Sequence, residues 1–283
     1  MYSISGEEAV LMKKIAVMVL AVMLVACGTA LAEDGFKAFV GYSIGGQSNQ
    51  IKNYEMGGDA KADVKGLQHG PSVELRYEGT FFARVMYNHY FSSGAKITNP
   101  DGEKQDINSG NNWDVEGNVG FRLYHGGGFG VTPYVGFGYR SLTYKFQEPS
   151  EPEAKFEYNT PYAVAGMFLK YDAPRWSAGV DVAGLLPFSG QYKARQSGSG
   201  TAEISANVGW GVRVQVPITY TIVPRKSGGV GILAFVTPFY EHIDTMKSEL
   251  TYGDFDGDGA FSYTKIKYEL NDYGVKVGVG FSF

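Results

Sequence analysis

Beyond residue 32 the chain holds no apolar run long enough to cross a bilayer as a helix, yet one segment after another alternates apolar and polar side chains. Successive residues of a strand point to opposite faces, so strict alternation describes a sheet with one apolar and one polar side. The clearest case runs from Trp113 to Tyr124. Trp113, Val115, Val119, Phe121 and Leu123 share one face, and Asp114, Glu116, Asn118, Gly120 and Arg122 share the other. A second runs from Glu203 to Val216, where Ile204, Ala206, Val208, Trp210, Val212, Val214 and Val216 alternate with Glu203, Ser205, Asn207, Gly209, Gly211, Arg213 and Gln215. Over most of these segments the apolar face carries no charge, whereas the outer face of a soluble sandwich would be polar. Segments of about ten residues with an uncharged apolar face suit strands that meet lipid on one side and a lumen on the other. The composition agrees: 44% of residues are hydrophobic, yet the mean hydropathy is slightly negative.

Reading the whole chain in this way predicts ten strands, at 35–46, 67–77, 81–92, 113–124, 129–145, 160–171, 176–188, 203–220, 229–243 and 263–283. The connections alternate between short (78–80, 125–128, 172–175 and 221–228) and long (47–66, 93–112, 146–159, 189–202 and 244–262). That asymmetry, with an even strand count, predicts an all-β fold: a closed antiparallel up-and-down transmembrane barrel over residues 33–283, both termini on the short-turn, periplasmic side. Aromatic residues gather at the predicted strand ends. Tyr77, Phe81, Phe129, Tyr171 and Trp176 lie by the short turns, and Phe91, Trp113, Phe188 and Tyr240 by the long loops. Two such girdles belong at the two membrane interfaces.

The first 32 residues read as a secretory signal peptide, with residues 1–11 as an upstream extension and Met12 as a candidate start. Lys13 and Lys14 precede an apolar run from Ile15 to Ala26, and Ala30-Leu31-Ala32 then supplies an A-x-A site. Cleavage is expected after Ala32. Leu24-Val25-Ala26-Cys27 also resembles a bacterial lipobox, which would make Cys27 a lipidated terminus instead. Cys27 is the only cysteine, so no disulfide framework exists. A net charge of −4 leaves no basic footprint for nucleic acid.

At the C-terminus Tyr273, Val275, Val277, Val279, Phe281 and Phe283 form one apolar face. Lys276, Gly278, Phe281 and Phe283 resemble, position by position, the signal read by the outer-membrane barrel assembly machinery. Val131 to Tyr139 (VTPYVGFGY) resembles the PYVGxGxG strand of small bacterial outer-membrane β-barrel domains, porin-like or OmpA-like. Those resemblances imply the fold, a Gram-negative cell envelope, contact with outer-membrane lipid and lipopolysaccharide, and the assembly machinery as a partner during biogenesis. They imply no particular activity, because one architecture hosts many.

The inward faces are expected to carry Glu74, Asp114, Glu116, Asp181, Glu203 and Glu241 beside Arg76, Arg84, Arg122, Arg140, Arg213 and Lys276. Balanced charge suggests a paired network that closes the lumen, while inward glycines (120, 136, 138, 209, 211, 278, 280) suggest room for a narrow path. Asp254, Asp256 and Asp258 match the start of an EF-hand-type loop, making calcium the one candidate cofactor. Lys265 stands where that loop needs its bidentate Glu. Histidine is scarce: His69, His89, His125 and His242. Glu241-His242-Ile243-Asp244 lies at a strand top, where omptin-type proteases carry His and Asp, but the opposing acid pair is not recognisable. His89 and Ser92 faintly resemble the His/Ser region of lipid A deacylases, with a spacing that puts the two on opposite faces; Ser93 is four residues away. Three functions therefore compete: a non-enzymatic structural or surface-interaction barrel, a narrow porin-like channel for small solutes, and, more remotely, an outer-membrane hydrolase. No external ligand is legible.

Overall fold

A computed structural model describes residues 35–55, 58–98, 104–146, 154–188, 190–196, 201–206, 208–226, 229–245, 251–253, 262–264 and 266–283. Among these, every regular element is a strand: β1 (Phe36–Glu55), β2 (Gly58–Glu78), β3 (Phe81–Thr98), β4 (Lys104–Phe121), β5 (Tyr124–Gly126), β6 (Phe129–Phe146), β7 (Ala154–Asp172), β8 (Trp176–Pro187), β9 (Gly190–Gln196), β10 (Thr201–Ala206), β11 (Gly209–Gln215), β12 (Ile218–Val223), β13 (Gly231–Thr245), β14 (Thr251–Gly253), β15 (Ser262–Thr264) and β16 (Ile266–Ser282). β8 and β9 follow one another along one stave, and β10, β11 and β12 along the next. The ring then reads β1, β2, β3, β4, β6, β7, β8/β9, β10–β12, β13 and β16, and β16 pairs back onto β1 from Lys37↔Ser282 to Asn53↔Ile266. Ten antiparallel staves close the barrel, as the alternation predicts, and closure leaves no unpaired edge.

Turn chemistry fixes the short-turn end. β5 and β6 meet at Gly126↔Phe129 with Gly127 and Gly128 between them, at φ 57° and 84°. Two consecutive left-handed residues are the signature of a tight hairpin turn that matches strand twist, and glycine takes them without strain. At this end Tyr171 packs between Phe129 (ring centroids 4.8 Å) and Trp176 (5.5 Å), which builds the expected girdle. Above it an exposed apolar belt includes Phe81, Val85, Val119, Phe121, Val135, Phe137, Val182, Val277 and Val279. The upper girdle is wider than the sequence suggests. Trp113 meets Tyr139 (5.5 Å), His89 stacks on Phe91 (4.5 Å), and Tyr42, Trp210, Tyr240 and Tyr273 stand exposed beside them.

The strand lengths depart from expectation. Four expected long connections are largely strand: β1 and β2 run on to meet at Glu55↔Gly58, β3 and β4 pair up to Thr98↔Lys104, β6 and β7 up to Phe146↔Ala154, and β9 and β10 occupy most of 189–202. β1 spans 20 residues. At about 3.3 Å per residue and a tilt of about 40° it stands roughly 50 Å tall, against a hydrocarbon core of about 30 Å. The barrel therefore rises well past its apolar belt.

Over that rise the two faces exchange character. In β16, Tyr273, Val275, Val277 and Val279 face outward while Asp272 and Lys276 face the lumen; beyond Asn271, Leu270 and Tyr268 face inward and Glu269 and Lys267 outward. β13 repeats the exchange with Ile243 inside and Asp244 outside, β2 with Val64 and Lys65, and β6 with Leu142 inside and Lys145 outside. The barrel is inside-out within its apolar belt and has an ordinary hydrophobic core above it.

Candidate functional site in the barrel lumen

The lumen is filled in tiers. In the upper tier Val64, Ala95, Leu142, Tyr158, Ile243, Tyr268 and Leu270 belong to one buried cluster, contributed here by six staves. Tyr158 stacks on Tyr268 with ring centroids 4.5 Å apart. Beneath them Asn49 Nδ2 donates to Tyr144 Oη (2.5 Å), Gln47 Nε2 to Ser92 Oγ (2.9 Å) and Asn112 Nδ2 to Gln47 Oε1 (3.2 Å). Neutral amides and hydroxyls thus separate the apolar cap from the charges below.

The middle tier is a belt of charge. Glu116, fully buried, receives both Arg213 guanidinium donors at 2.6 Å, the Asn118 amide at 2.8 Å and the Tyr162 hydroxyl at 3.1 Å. Two parallel N–H···O bonds are the strong geometry for this pair. Arg84 donates to Asp181 (2.5 Å), which also accepts from Tyr134 (2.5 Å), and Arg84 lies 4.0 Å from Glu116. Arg140 bridges Glu241 and Asp114. Asn88 donates to Asp114 (2.8 Å) and accepts from Lys276 (2.8 Å). Glu116 on β4 reaches Arg213 on β11 across the lumen, so the belt ties opposite walls together.

At the short-turn end Glu78 accepts from Lys37 (3.0 Å), Arg76 (3.0 Å) and Lys170 (2.6 Å), while Arg76 also pairs with Glu74. The Arg76 guanidinium lies between the rings of Phe39 (5.4 Å) and Phe168 (5.0 Å). Between this level and the belt is a cavity of about 40 Å³, lined by polar residues that include Ser72, Asn88, Gln215, Thr237 and Lys276.

Most expected lumen charges meet in these tiers, with two exceptions. Arg122 lies past the end of β4 and donates to the Glu78 carbonyl (3.0 Å), at the short-turn rim rather than in the belt. Glu203 is register-paired with Lys193, which pairs with Glu157 in the outward row of β7. β9 is shifted by one residue against β7 relative to β8 (Tyr162↔Pro187 but Asn159↔Gln191), and β10 follows β9 in register, a change of phase that the unbroken alternation of 203–216 does not show. The inward glycines do not leave a path. A methyl at Gly278 would come within 2.9 Å of the Phe235 ring, and one at Gly138 would overlap the Tyr162 ring. Each aromatic ring lies over a neighbour's missing side chain. Asp272, Asn88, Tyr134 and Tyr162 also face the lumen, and simple parity along β16, β3, β6 and β7 marks all four.

The histidines face elsewhere. His89 Nε2 donates to Asn111 Oδ1 (2.5 Å), His242 Nδ1 to Asn271 Oδ1 (2.8 Å), and His69 Nδ1 lies 2.6 Å from the Tyr42 hydroxyl, all in outward rows at the upper girdle, whereas His125 on β5 lines a small pocket at the short-turn end with Glu78, Arg122 and Lys170. Ser92 faces inward to Gln47. At the C-terminus Lys276 and Gly278 face the lumen, Phe281 faces outward, and Phe283 bonds the Phe36 carbonyl (3.0 Å) with its ring 5.8 Å from that of Phe36. Asp254, Asp256 and Asp258, and the leader with Cys27 and Ala32, lie outside the described residues. Among the described residues no group of three His, Cys, Asp or Glu could hold a metal.

The outer membrane protease OmpT from Escherichia coli superposes with a TM-score of 0.63 at 11% identity, over 89% of this chain and 98% of that one. The fold is that of an outer-membrane β-barrel. OprG from Pseudomonas aeruginosa (TM-score 0.41, 11% identity, 88% and 96% covered) and the translocator domain of the autotransporter NalP from Neisseria meningitidis (0.40, 11%, 95% and 96%) are also similar. No family model matches the sequence, and no curated protein does either.

Proposed function

We propose that this outer-membrane barrel is non-conducting and non-enzymatic, and that it has a structural or surface-interaction role. Its short-turn end and both termini face the periplasm, and its tall end stands outside the cell among lipopolysaccharide. The observation that carries this reading is the double closure of the lumen: the Glu116–Arg213 clamp across the charge belt, and the apolar core of Tyr158, Tyr268, Leu270 and Ile243 above it. A solute path needs continuous water. Here Glu116, Arg213, Arg84 and Asp181 are engaged with one another across the lumen, and the tier above offers hydrocarbon and tyrosine rings.

Planar-bilayer recording tests the reading. The purified mature protein is expected to show no steady current at moderate voltage. Steady ohmic conductance in the wild type would reject the closed lumen and favour a narrow porin-like channel.

A further inference from the structure

Among the described residues Lys276 is the one cation of the belt with no carboxylate within ion-pair distance. Its ammonium is buried and donates a hydrogen bond to Asn88 Oδ1 (2.8 Å), with the Phe239 ring 5.4 Å away. Asn88 turns its amide nitrogen toward Asp114 (2.8 Å) and so holds the nearest carboxylate one side chain away. An ammonium has three donors. The cavity of about 40 Å³ lies against this group, and Ser72, Gln215, Thr219 and Thr237 bring hydroxyl and amide groups to it from β2, β11, β12 and β13. Phe39, Met86 and Phe235 close its other sides, and Glu74 and Arg76, an ion pair with each other, also line it, so Lys276 is the net charge of its wall. One water needs roughly 10–15 Å³ of such space, so the room suits a small ion with a water, and nothing larger.

We propose that this cavity is a binding site for a small monovalent anion of chloride size, with Lys276 as its counter-charge and the Thr237 hydroxyl and Gln215 amide as further donors. A buried charge without a partner is costly. Here a solute ion takes the place that a carboxylate takes at Arg84, Arg140 and Arg213. The site lies below the charge belt, so the anion enters from the short-turn end and closure of the lumen is unaffected.

The test uses the refolded full-length mature protein in detergent. Thermal unfolding is followed across a chloride titration at constant ionic strength, with gluconate as the replacement anion, and chloride-35 NMR line broadening reads binding directly. A ligand that binds only the folded state raises its stability by mass action. The wild type should unfold at higher temperature in chloride and broaden the chloride signal. Lys276→Met should abolish both effects. Thr237→Val keeps side-chain shape and Lys276 while removing one donor, so it should weaken binding about fivefold; this variant decides the matter if Lys276→Met fails to refold. A wild type indifferent to chloride, with no line broadening, would show that the cavity holds water alone. Undiminished chloride effects in both variants would place the ion elsewhere.

Discussion

Asp272 and Glu116 are both buried lumen carboxylates, yet their surroundings are opposite. Glu116 holds a bidentate arginine, an amide and a tyrosine hydroxyl. Asp272 has an oxygen with no hydrogen-bond partner and no cation within 4.0 Å among the described residues. Removing one member of a buried pair strands the other, at about 3–5 kcal/mol. Arg213→Ala should therefore lower the unfolding temperature of the detergent-solubilised barrel markedly. Asp272→Asn, which removes a charge that has the Gln68 amide but no ion-pair partner, should leave that temperature unchanged or raise it. Arg122→Ala serves as the contrast: its guanidinium only caps the Glu78 carbonyl at the rim, so the loss should be about 1 kcal/mol or less. Comparable losses in Arg122→Ala and Arg213→Ala would contradict the belt. The identities of the belt charges were legible from parity alone, but their partners were not. Pairing across a barrel depends on stagger, which one strand's sequence does not carry.

Single strands show why the fold was half legible. Within the apolar belt the alternation in β16 marks inside and outside without ambiguity, and the ten staves follow from it. At Asn271–Tyr273 the pattern keeps its period and reverses its sign. In β2 the same reversal falls between Lys65 and Leu67 on the outer face, and there the expected strand 67–77 stops, leaving 47–66 as an expected loop although the strand continues to Gly58. The backbone ladder continues regardless, because pairing requires only backbone groups, while hydrophobic alternation records what each face touches. β9 and β10 show the other failure, a one-residue change of register against β7 between β8 and β9, which no alternation in the sequence records. The reversed segment also supplies a discriminating experiment. Leu270→Asp places an unpaired carboxylate inside the upper core, next to Ile243 and Tyr268. It should destabilise the barrel by several kcal/mol and admit water from above, seen as faster amide exchange in the upper part of β13 and β16. Val277→Asp, on the lipid face of the same strand, should instead impair insertion into vesicles and leave exchange in the upper core of any folded fraction unchanged. Identical exchange profiles for the two variants would mean that the two halves of the strand share one environment.

At the scale of the molecule, closure satisfies the backbone of every stave against a neighbour, and β1 meets β16 over almost their whole length. Closed barrels resist detergent until heated. The mature protein should run at different positions on unheated and boiled SDS gels, and a position that ignores heating would argue against closure. The reversed collar has one more consequence, for biogenesis. Lys65, Lys96, Lys145, Asp244, Lys267 and Glu269 face outward above the belt. In the proposed orientation a barrel entering from the periplasmic side must carry that ring of charge through hydrocarbon before its apolar belt can seat, and each lysine near the midplane of a bilayer costs about 2–4 kcal/mol, each carboxylate less. The native state is thus at home in the membrane while the passage toward it is not. Unassisted refolding into pure lipid should be slow and should quicken steeply as the acyl chains shorten, because a thin bilayer lowers a barrier that the finished barrel no longer contains.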